Sequence, residues 1–590
     1  MNHFLHRALL RLVLVASLLF LAGPCAERRI FSQPGVQAGA VQATKPQLAA
    51  TGLDSAFQVK HYDINLRIDP SAKSISGSVT MHAIAGASKL NAITLDLGDL
   101  MVVSSVSSED RAQTFTHKDN LLHITFAHAY RSGASFAVTV NYKGTPAGRA
   151  FVFGEHQSIP MIYTYGMPNA ARRWWPCKDT PAEKAASVDL AITVPEKVEV
   201  PTNSADKHDT VVPLIVASNG KLVKETSNSD GTRTFYWQVR YPIYPDVVSL
   251  AITNYSTFTL PYQYSSTATM PMTFYVFPED LQKAKVDFSA LPGIMKHHAS
   301  VFGEYPYLKE KYGIAEFALQ SFREHQTLPS YGAALITGDH KNDETLAHEL
   351  AHQWFGNLIS VKSWSHIWLN EGFANYAYAL WQESVGGKKA YLATMKSWDD
   401  SPLEGPIFIQ DANDNSKLFS SNTFNKGAWV LHMLRHVMGD EKFFRALRTY
   451  VKTYAFKSAD TEDFQAVCEK AYGRPLVWFF KEWIYGRGRP QFKYEWNVTA
   501  RRGRRIVKVT VDQAQTNAGL FEMPVDVVIT TVSRDKHLGS EVWIENHQTF
   551  VAPVKLKSQV FEFIVNDDVT QVRLDPDRWV LRQETEKPKH

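Results

Sequence analysis

Glu344-Thr-Leu-Ala-His348-Glu349-Leu-Ala-His352-Gln-Trp-Phe-Gly356 is followed, nineteen residues after His352, by Glu371 in the stretch Trp368-Leu-Asn-Glu371-Gly-Phe-Ala374. On a helix, residues four apart lie one turn apart on the same face, so His348 and His352 can share one metal ion. Zinc takes two such imidazoles and a carboxylate, here Glu371, and keeps a position open when the site is catalytic. Glu349 stands beside the first histidine on the same helix, where it can take a proton from water at the metal. These residues offer three ligands for one Zn2+ per chain, a base and an open position, which are the parts of a zinc hydrolase.

The flanking residues predict the elements that carry the site. Asp343 and Thr345 are polar starters, and Leu346, Leu350, Trp354 and Leu358 fall at helical spacing. Glu371 opens an apolar, aromatic stretch (Phe373, Tyr376, Ala377, Leu380) that predicts a second helix. Two other histidine pairs lack this context. His432 and His436 are four apart, but no glutamate follows His432, so they read as ordinary helix residues. His297 and His298 are adjacent and face different directions on a helix.

The chain has 590 residues, enough for about three or four domains. Its hydrophobic content of 44% is ample for sizeable cores. The net charge of +4 is mild for this size, with no dense basic run, which argues against a nucleic-acid partner. Arg7 and Arg11 precede an apolar run from Leu12 to Ala22, which Gly23, Pro24, Cys25 and Ala26 break. That pattern predicts a signal peptide over residues 1–26 and an exported protein, periplasmic or secreted. The run is shorter than the roughly 20 apolar residues a membrane span needs, so no stable span is expected after cleavage. Lipidation at Cys25 ranks second, because Pro24 fits it poorly. Cys177 and Cys468 are far apart and predict buried thiols rather than a disulfide.

Residues 27–54 are rich in Ala, Gln, Gly and Pro and read as a linker. Residues 55–262 alternate apolar and polar positions, as in Phe57-Gln-Val59 through Ile68 and Phe136-Ala-Val138-Thr-Val140, which predicts a large antiparallel β domain. Helical periodicity dominates residues 263–486, with a short β element ahead of the His348 helix. Alternation returns over residues 487–590, where short strands predict a β-sandwich. The whole is a multidomain α+β chain without internal repeats.

The motifs carry a family resemblance. His348–Asn357 with Trp368–Tyr376 resembles the aminopeptidase N family of gluzincin metallopeptidases. Ala171-Arg-Arg-Trp-Trp-Pro-Cys-Lys-Asp-Thr-Pro181 is similar to a segment of that family's first domain. Phe302-Gly-Glu-Tyr-Pro306, Asn425-Lys-Gly427 and Asp575-Pro-Asp577 match further family segments. The resemblance implies an N-terminal β-saddle domain, a thermolysin-like, mostly helical catalytic domain and a C-terminal immunoglobulin-like β-sandwich. The large helical domain that follows in many relatives is not expected here. It also implies zinc at His348, His352 and Glu371, general base Glu349, and peptide substrates with a free N-terminus. The exopeptidase motif falls on Ser321-Phe-Arg-Glu324-His325, so Glu324 resembles the carboxylate that holds the substrate's α-amine. That segment suits a strand edge able to pair with an extended peptide.

The chain departs from the family pattern at several positions. Phe424 replaces the tyrosine whose hydroxyl donates to the oxyanion, and such a donor is worth about 3 to 4 kcal/mol. Ser321 and Arg323 replace a glycine and a methionine, and a cation beside Glu324 is expected to weaken its hold on an ammonium. Tyr165 and Met167 stand near the positions of a second amine anchor, which puts that anchor in doubt. Tyr165 aligns with a substrate-facing position. Tyr331, Tyr376 and Tyr378 lie near the motifs, but their spacing points to packing. The leading expectation is a slow zinc aminopeptidase. The rival is a zinc-binding pseudo-peptidase that captures peptides or partner proteins without cutting them. A third reading is an endopeptidase or other acyl hydrolase in which Glu324 plays no part. Side-chain preference and oligomeric state have no signature in the sequence.

Overall fold

Alternation over Phe57–Asp69 becomes a strand whose apolar side chains Phe57, Val59, Tyr62, Ile64, Leu66 and Ile68 are all buried. The alternation skips a beat after Val59, where a bulge opposite Ala83 shifts the register by one residue and returns Tyr62 to the inner face. The computed structural model describes residues 56–583 apart from 87–88, 147, 201–209, 400–401 and 536–541. The expected signal peptide, the linker and Cys25 lie outside the described residues.

The N-terminal β region is divided among several sheets rather than forming one. An eight-stranded sheet runs in the order Lys221–Ser227, Thr232–Val239, Ser187–Pro195, Phe57–Asp69, Ser74–Ala85, Ser135–Gly144, Met101–Ser108, Arg111–Ala112. It is antiparallel except for one pair, because Phe57–Asp69 and Ser187–Pro195 run parallel from His61↔Ser187 to Arg67↔Thr193. Alternation reports a half-buried face and is blind to strand direction, so this exception has no sequence signature. A four-stranded and a three-stranded sheet carry most of the remaining strands.

A five-stranded mixed sheet leads into the helical region, in the order Ser256–Gln263, Thr269–Val276, Tyr312–Phe317, Ser330–Gly332, Phe322–Arg323. The two-residue strand Phe322–Arg323 is therefore an edge. Below it lie the helices Leu291–Phe302, Asp343–Ala351, Trp368–Ser397 and Gly427–Met438. The last two touch through glycines. A Cβ on Gly372 or on Gly427 would meet the other's Cα at 2.8 Å, so only two glycines allow this approach. A π-helical turn, Asn422–Lys426, precedes Gly427 and carries Phe424. No helix among the described residues is long and apolar enough to cross a membrane.

Two three-stranded sheets follow, one built on Phe492–Arg501, Arg504–Gln513 and Ser558–Val565, the other on Val542–Val554, Met523–Asp535 and Asp568–Leu574. Val507, Val509 and Val511 of the first and Val525, Val527 and Ile529 of the second are buried. This end of the chain is fastened to the helices by Trp579, which stacks on His432 at 4.5 Å and on His436 at 4.9 Å. His432 is buried, sharing a hydrogen bond with the Tyr391 hydroxyl (2.6 Å) and donating from Nε2 to Arg578 O (3.1 Å). That pair packs, as its lack of a following glutamate suggested. Cys177 and Cys468 are free and buried.

Candidate active site

The helix bearing the two histidines starts at Asp343 and ends at Ala351. His352 caps it with helical angles (φ −59°, ψ −20°), and its N–H donates to His348 O at 3.3 Å. It therefore keeps the one-turn relation to His348. Beyond it the bonds first tighten to three-residue spacings at Gln353 and Trp354, then widen to five, with Asn357 N–H donating to His352 O (2.9 Å) and Leu358 N–H to Gln353 O (3.2 Å). Trp354 and Leu358, expected on the helix, sit in this wide turn. Both are buried, because apolar spacing marks the inward direction whether or not the helix continues. Gly356 (φ +120°) closes the turn, and a Cβ there would lie 2.3 Å from Asn370 Oδ1.

Glu371 enters from the first turn of Trp368–Ser397. Its Oε2 lies 3.5 Å from His348 Nε2 and 3.5 Å from His352 Nε2, and the two nitrogens face each other at 2.9 Å. Ligands on a tetrahedral zinc, with bonds near 2.0–2.1 Å, stand about 3.3 Å apart. The three donor atoms thus have the spacing of one shared ion. His352 Nδ1 faces two acceptors, Asn370 Oδ1 at 2.6 Å and Phe355 O at 3.1 Å. A proton on Nδ1 satisfies both and leaves the Nε2 lone pair for a metal. Burial pushes the His348 pKa down to about 4, so its ring is neutral near pH 7.

Three carboxylates are buried here together. Burial, then Glu324 and Glu371, push Glu349 well above the ordinary carboxylate range. Neither of its oxygens has a hydrogen-bond partner among the described residues. Burial also raises Glu371. Burial opposes the charge on Glu324 as well, but His352 and Arg323 more than offset it and hold Glu324 below its usual value. Glu349 and Glu371 remain raised all the same, and a divalent cation would supply the charge that balances them. The spacing, the lone pairs and the orphaned carboxylate all fit zinc.

The neighbouring groups around Glu324 come from different elements. Glu324 follows the edge strand Phe322–Arg323 and is buried, and its Oε1 accepts from Asn370 Nδ2 at 3.2 Å. It lies in one cluster with His352 and Glu371, their ligand atoms within 4.8 Å of one another. The Phe424 ring stacks near His348 (6.1 Å between centroids, 26° between planes). Phe322 flanks the same imidazole at 5.8 Å. Tyr165 is buried against the edge strand, its hydroxyl 2.7 Å from Ser321 Oγ. The other tyrosines pack. The Tyr331 hydroxyl donates to Asn342 O, that of Tyr376 meets Tyr391, and the Tyr378 ring lies against Trp398.

Sequence reading passed over the residues that hold these groups. Asn370 joins His352 to Glu324 with its two amide ends. Asn357 Nδ2 donates to the Glu324 carbonyl at 2.7 Å. Lys184, from the N-terminal β region, donates to Asn357 O and Leu358 O. Asn370 and Asn357 stood inside the quoted motifs, but nothing in their spacing assigns an amide to a neighbour.

Residues 312–483 match the peptidase family M1 domain, and residues 58–243 match the peptidase M1 N-terminal domain. Aminopeptidase M1-B of Oryza sativa subsp. japonica is 28% identical over 465 residues, covering 73% of this chain and 50% of the rice protein. The chain thus spans about half the length of that relative. An M1 zinc metallopeptidase from Deinococcus radiodurans superposes with TM-score 0.60 at 24% identity, covering 73% of this chain and 94% of that one. Aminopeptidase A of Legionella pneumophila superposes with TM-score 0.73 at 18% identity, covering 91% and 60%.

Proposed function

Because the chain belongs to peptidase family M1, we propose that it is an exported zinc metalloaminopeptidase, removing the first residue from peptides with a free N-terminus. The observation that carries this reading is the cradle of His348 Nε2, His352 Nε2 and Glu371 Oε2, at 2.9 to 3.5 Å, with the unpartnered carboxylate of Glu349 beside it. His348, His352 and Glu371 hold one zinc per chain. When bound, zinc supplies positive charge that polarises a carbonyl oxygen and favours ionised water. Glu349 takes a proton at its carboxylate from the attacking water and passes it to the leaving amine nitrogen. Burial raises its pKa above the ordinary carboxylate range, which makes it the stronger proton acceptor. Glu324 pairs with the substrate's ammonium and sets the first carbonyl at the reacting centre, which enforces removal of one residue at a time.

Turnover is slow in this reading. Phe424 cannot donate to an oxyanion, and one missing donor costs about a hundred- to a thousandfold. The N-terminal region forms a saddle, the helical region is thermolysin-like, and the last two sheets pack as an immunoglobulin-like sandwich. The buried valine rows of both sheets support the sandwich. Export rests on Arg7 and Arg11 ahead of the apolar run Leu12 to Ala22. The test uses the zinc-loaded full chain on aminoacyl arylamides with free and acetylated amines. Hydrolysis that disappears on acetylation supports an aminopeptidase, and equal rates on both substrates exclude it.

The aromatic ring at Phe424 favours one rival, a zinc-binding pseudo-peptidase that retains peptides uncut. Equal, background-level hydrolysis by the parent and by Glu349→Ala would establish the rival.

A further inference from the structure

Three residues that depart from the family pattern meet in one assembly beside Glu324. The Tyr165 hydroxyl is tied to Ser321 Oγ at 2.7 Å, which fixes the ring. The Arg323 guanidinium lies over that ring, 3.9 Å from its centroid, with the Phe419 ring 5.9 Å away. Aromatic faces hold a guanidinium by its flat side and leave its in-plane donors to point elsewhere. Arg323 Nη1 donates to its neighbour's carbonyl, Phe322 O, at 2.9 Å. Its Nε is buried without a hydrogen-bond partner. Among the described residues no carboxylate comes within ion-pair distance of it.

A half-buried guanidinium laid against two rings, with an unused Nε–H and no ion pair, has donors to spare for a ligand carboxylate. The guanidinium also belongs to the reacting cleft, because its charge acts on Glu324, Glu349 and Glu371. Arg323 and Glu324 are consecutive, with Cα atoms about 3.8 Å apart. The Arg323 charge is felt at the Glu324 carboxyl, so one substrate residue can offer its ammonium to Glu324 and a side-chain carboxylate to Arg323.

We infer that Arg323 is the receptor for a carboxylate on the substrate's first side chain, so that the site selects peptides beginning with aspartate or glutamate. This rests on the aminopeptidase reading, which puts the ammonium at Glu324. A neutral first side chain leaves the guanidinium unpaired, and a basic one meets a like charge. A terminal α-carboxylate offers the same chemistry from a second source.

Titration calorimetry of the zinc-loaded full chain separates these sources without requiring turnover. The probes are L-isoglutamine, which has only the side-chain carboxylate, L-glutamine, which has only the α-carboxylate, and L-glutaminamide, which has neither. A charge-assisted pair of hydrogen bonds predicts that L-isoglutamine binds the parent at least about tenfold more tightly than L-glutaminamide. Arg323→Met should bring that ratio close to one, and Arg323→Lys should retain part of it. Should Arg323→Met lose its cooperative melt, Arg323→Gln reads the same ratio. A flat ratio in the parent, or one unchanged in the neutral variants, overturns the inference. A gain confined to L-glutamine and lost in Arg323→Met also overturns it, by assigning Arg323 to a chain terminus. Hydrolysis is scored separately. A parent that selects L-isoglutamine but cleaves no glutamyl arylamide sinks the peptidase reading and leaves the receptor standing.

Discussion

The two ends of the cleft are made differently. At one end His348, Glu349, His352 and Glu371 come from two adjoining helices, are buried, and match the family pattern. At the other end Tyr165, Ser321, Arg323 and Phe424 come from three segments distant in the chain, are mostly less buried, and depart from it. The first end is constrained by electrostatics. Buried carboxylates gathered around one point are stable together only with a cation among them, so any single loss leaves the rest uncompensated. The second end is constrained by shape, and shape tolerates replacement when neighbours change together. Tyr165, Ser321 and Arg323 illustrate this, since each of the three touches at least one of the others. Chemistry and selectivity can therefore diverge within one site.

That contrast makes losses at the metal end severe and changes at the wall graded. His352→Ala should lower zinc content from one ion per chain to near zero by atomic emission, with hydrolysis at background. Retention of a full ion would remove His352 from the ligand set. Glu349→Ala should keep zinc and lose about a hundred- to ten-thousandfold in kcat, the range for a positioned proton-transfer group. A kcat within tenfold of the parent would assign the base elsewhere. Phe424→Tyr runs in the opposite direction and should raise kcat by up to about a hundred- to a thousandfold. A variant no faster than the parent would show that this wall position does not limit turnover. Asn370→Ala removes the partner of both His352 Nδ1 and Glu324 Oε1, and should weaken zinc affinity about 10- to 100-fold in a chelator competition. Gly427→Ala, with 2.8 Å to the Gly372 Cα, should lower stability by about 1–3 kcal/mol in urea unfolding. An unchanged midpoint would mean that the two helices can part without cost.

The metal end was legible in the sequence because its information is local. His348 to His352 is one helical turn, and Glu371 opens the next long helix. The strands were legible for the same reason, as in Phe57–Asp69, where period-two alternation survives even a bulge. Strand direction was not, and the parallel pairing of Phe57–Asp69 with Ser187–Pro195 joins segments distant in the chain. Nor was the end of the histidine helix, because Trp354 and Leu358 keep apolar spacing through a turn that has left helical geometry.

The wall shows the limit most clearly. Each departure could be read off singly, and Arg323 then suggested only a weaker hold on an ammonium. The fold brings Tyr165 from the N-terminal β region and Phe419 from the end of the short helix Asn415–Leu418 against that guanidinium, and changes its meaning from a nuisance to an anion receptor. Residue order carries the chemistry that a single helix turn can assemble, since spacing alone sets those distances. What a side chain 158 or 96 positions away does to its neighbour, as Tyr165 and Phe419 do to Arg323, depends on packing between elements, which only the folded chain specifies.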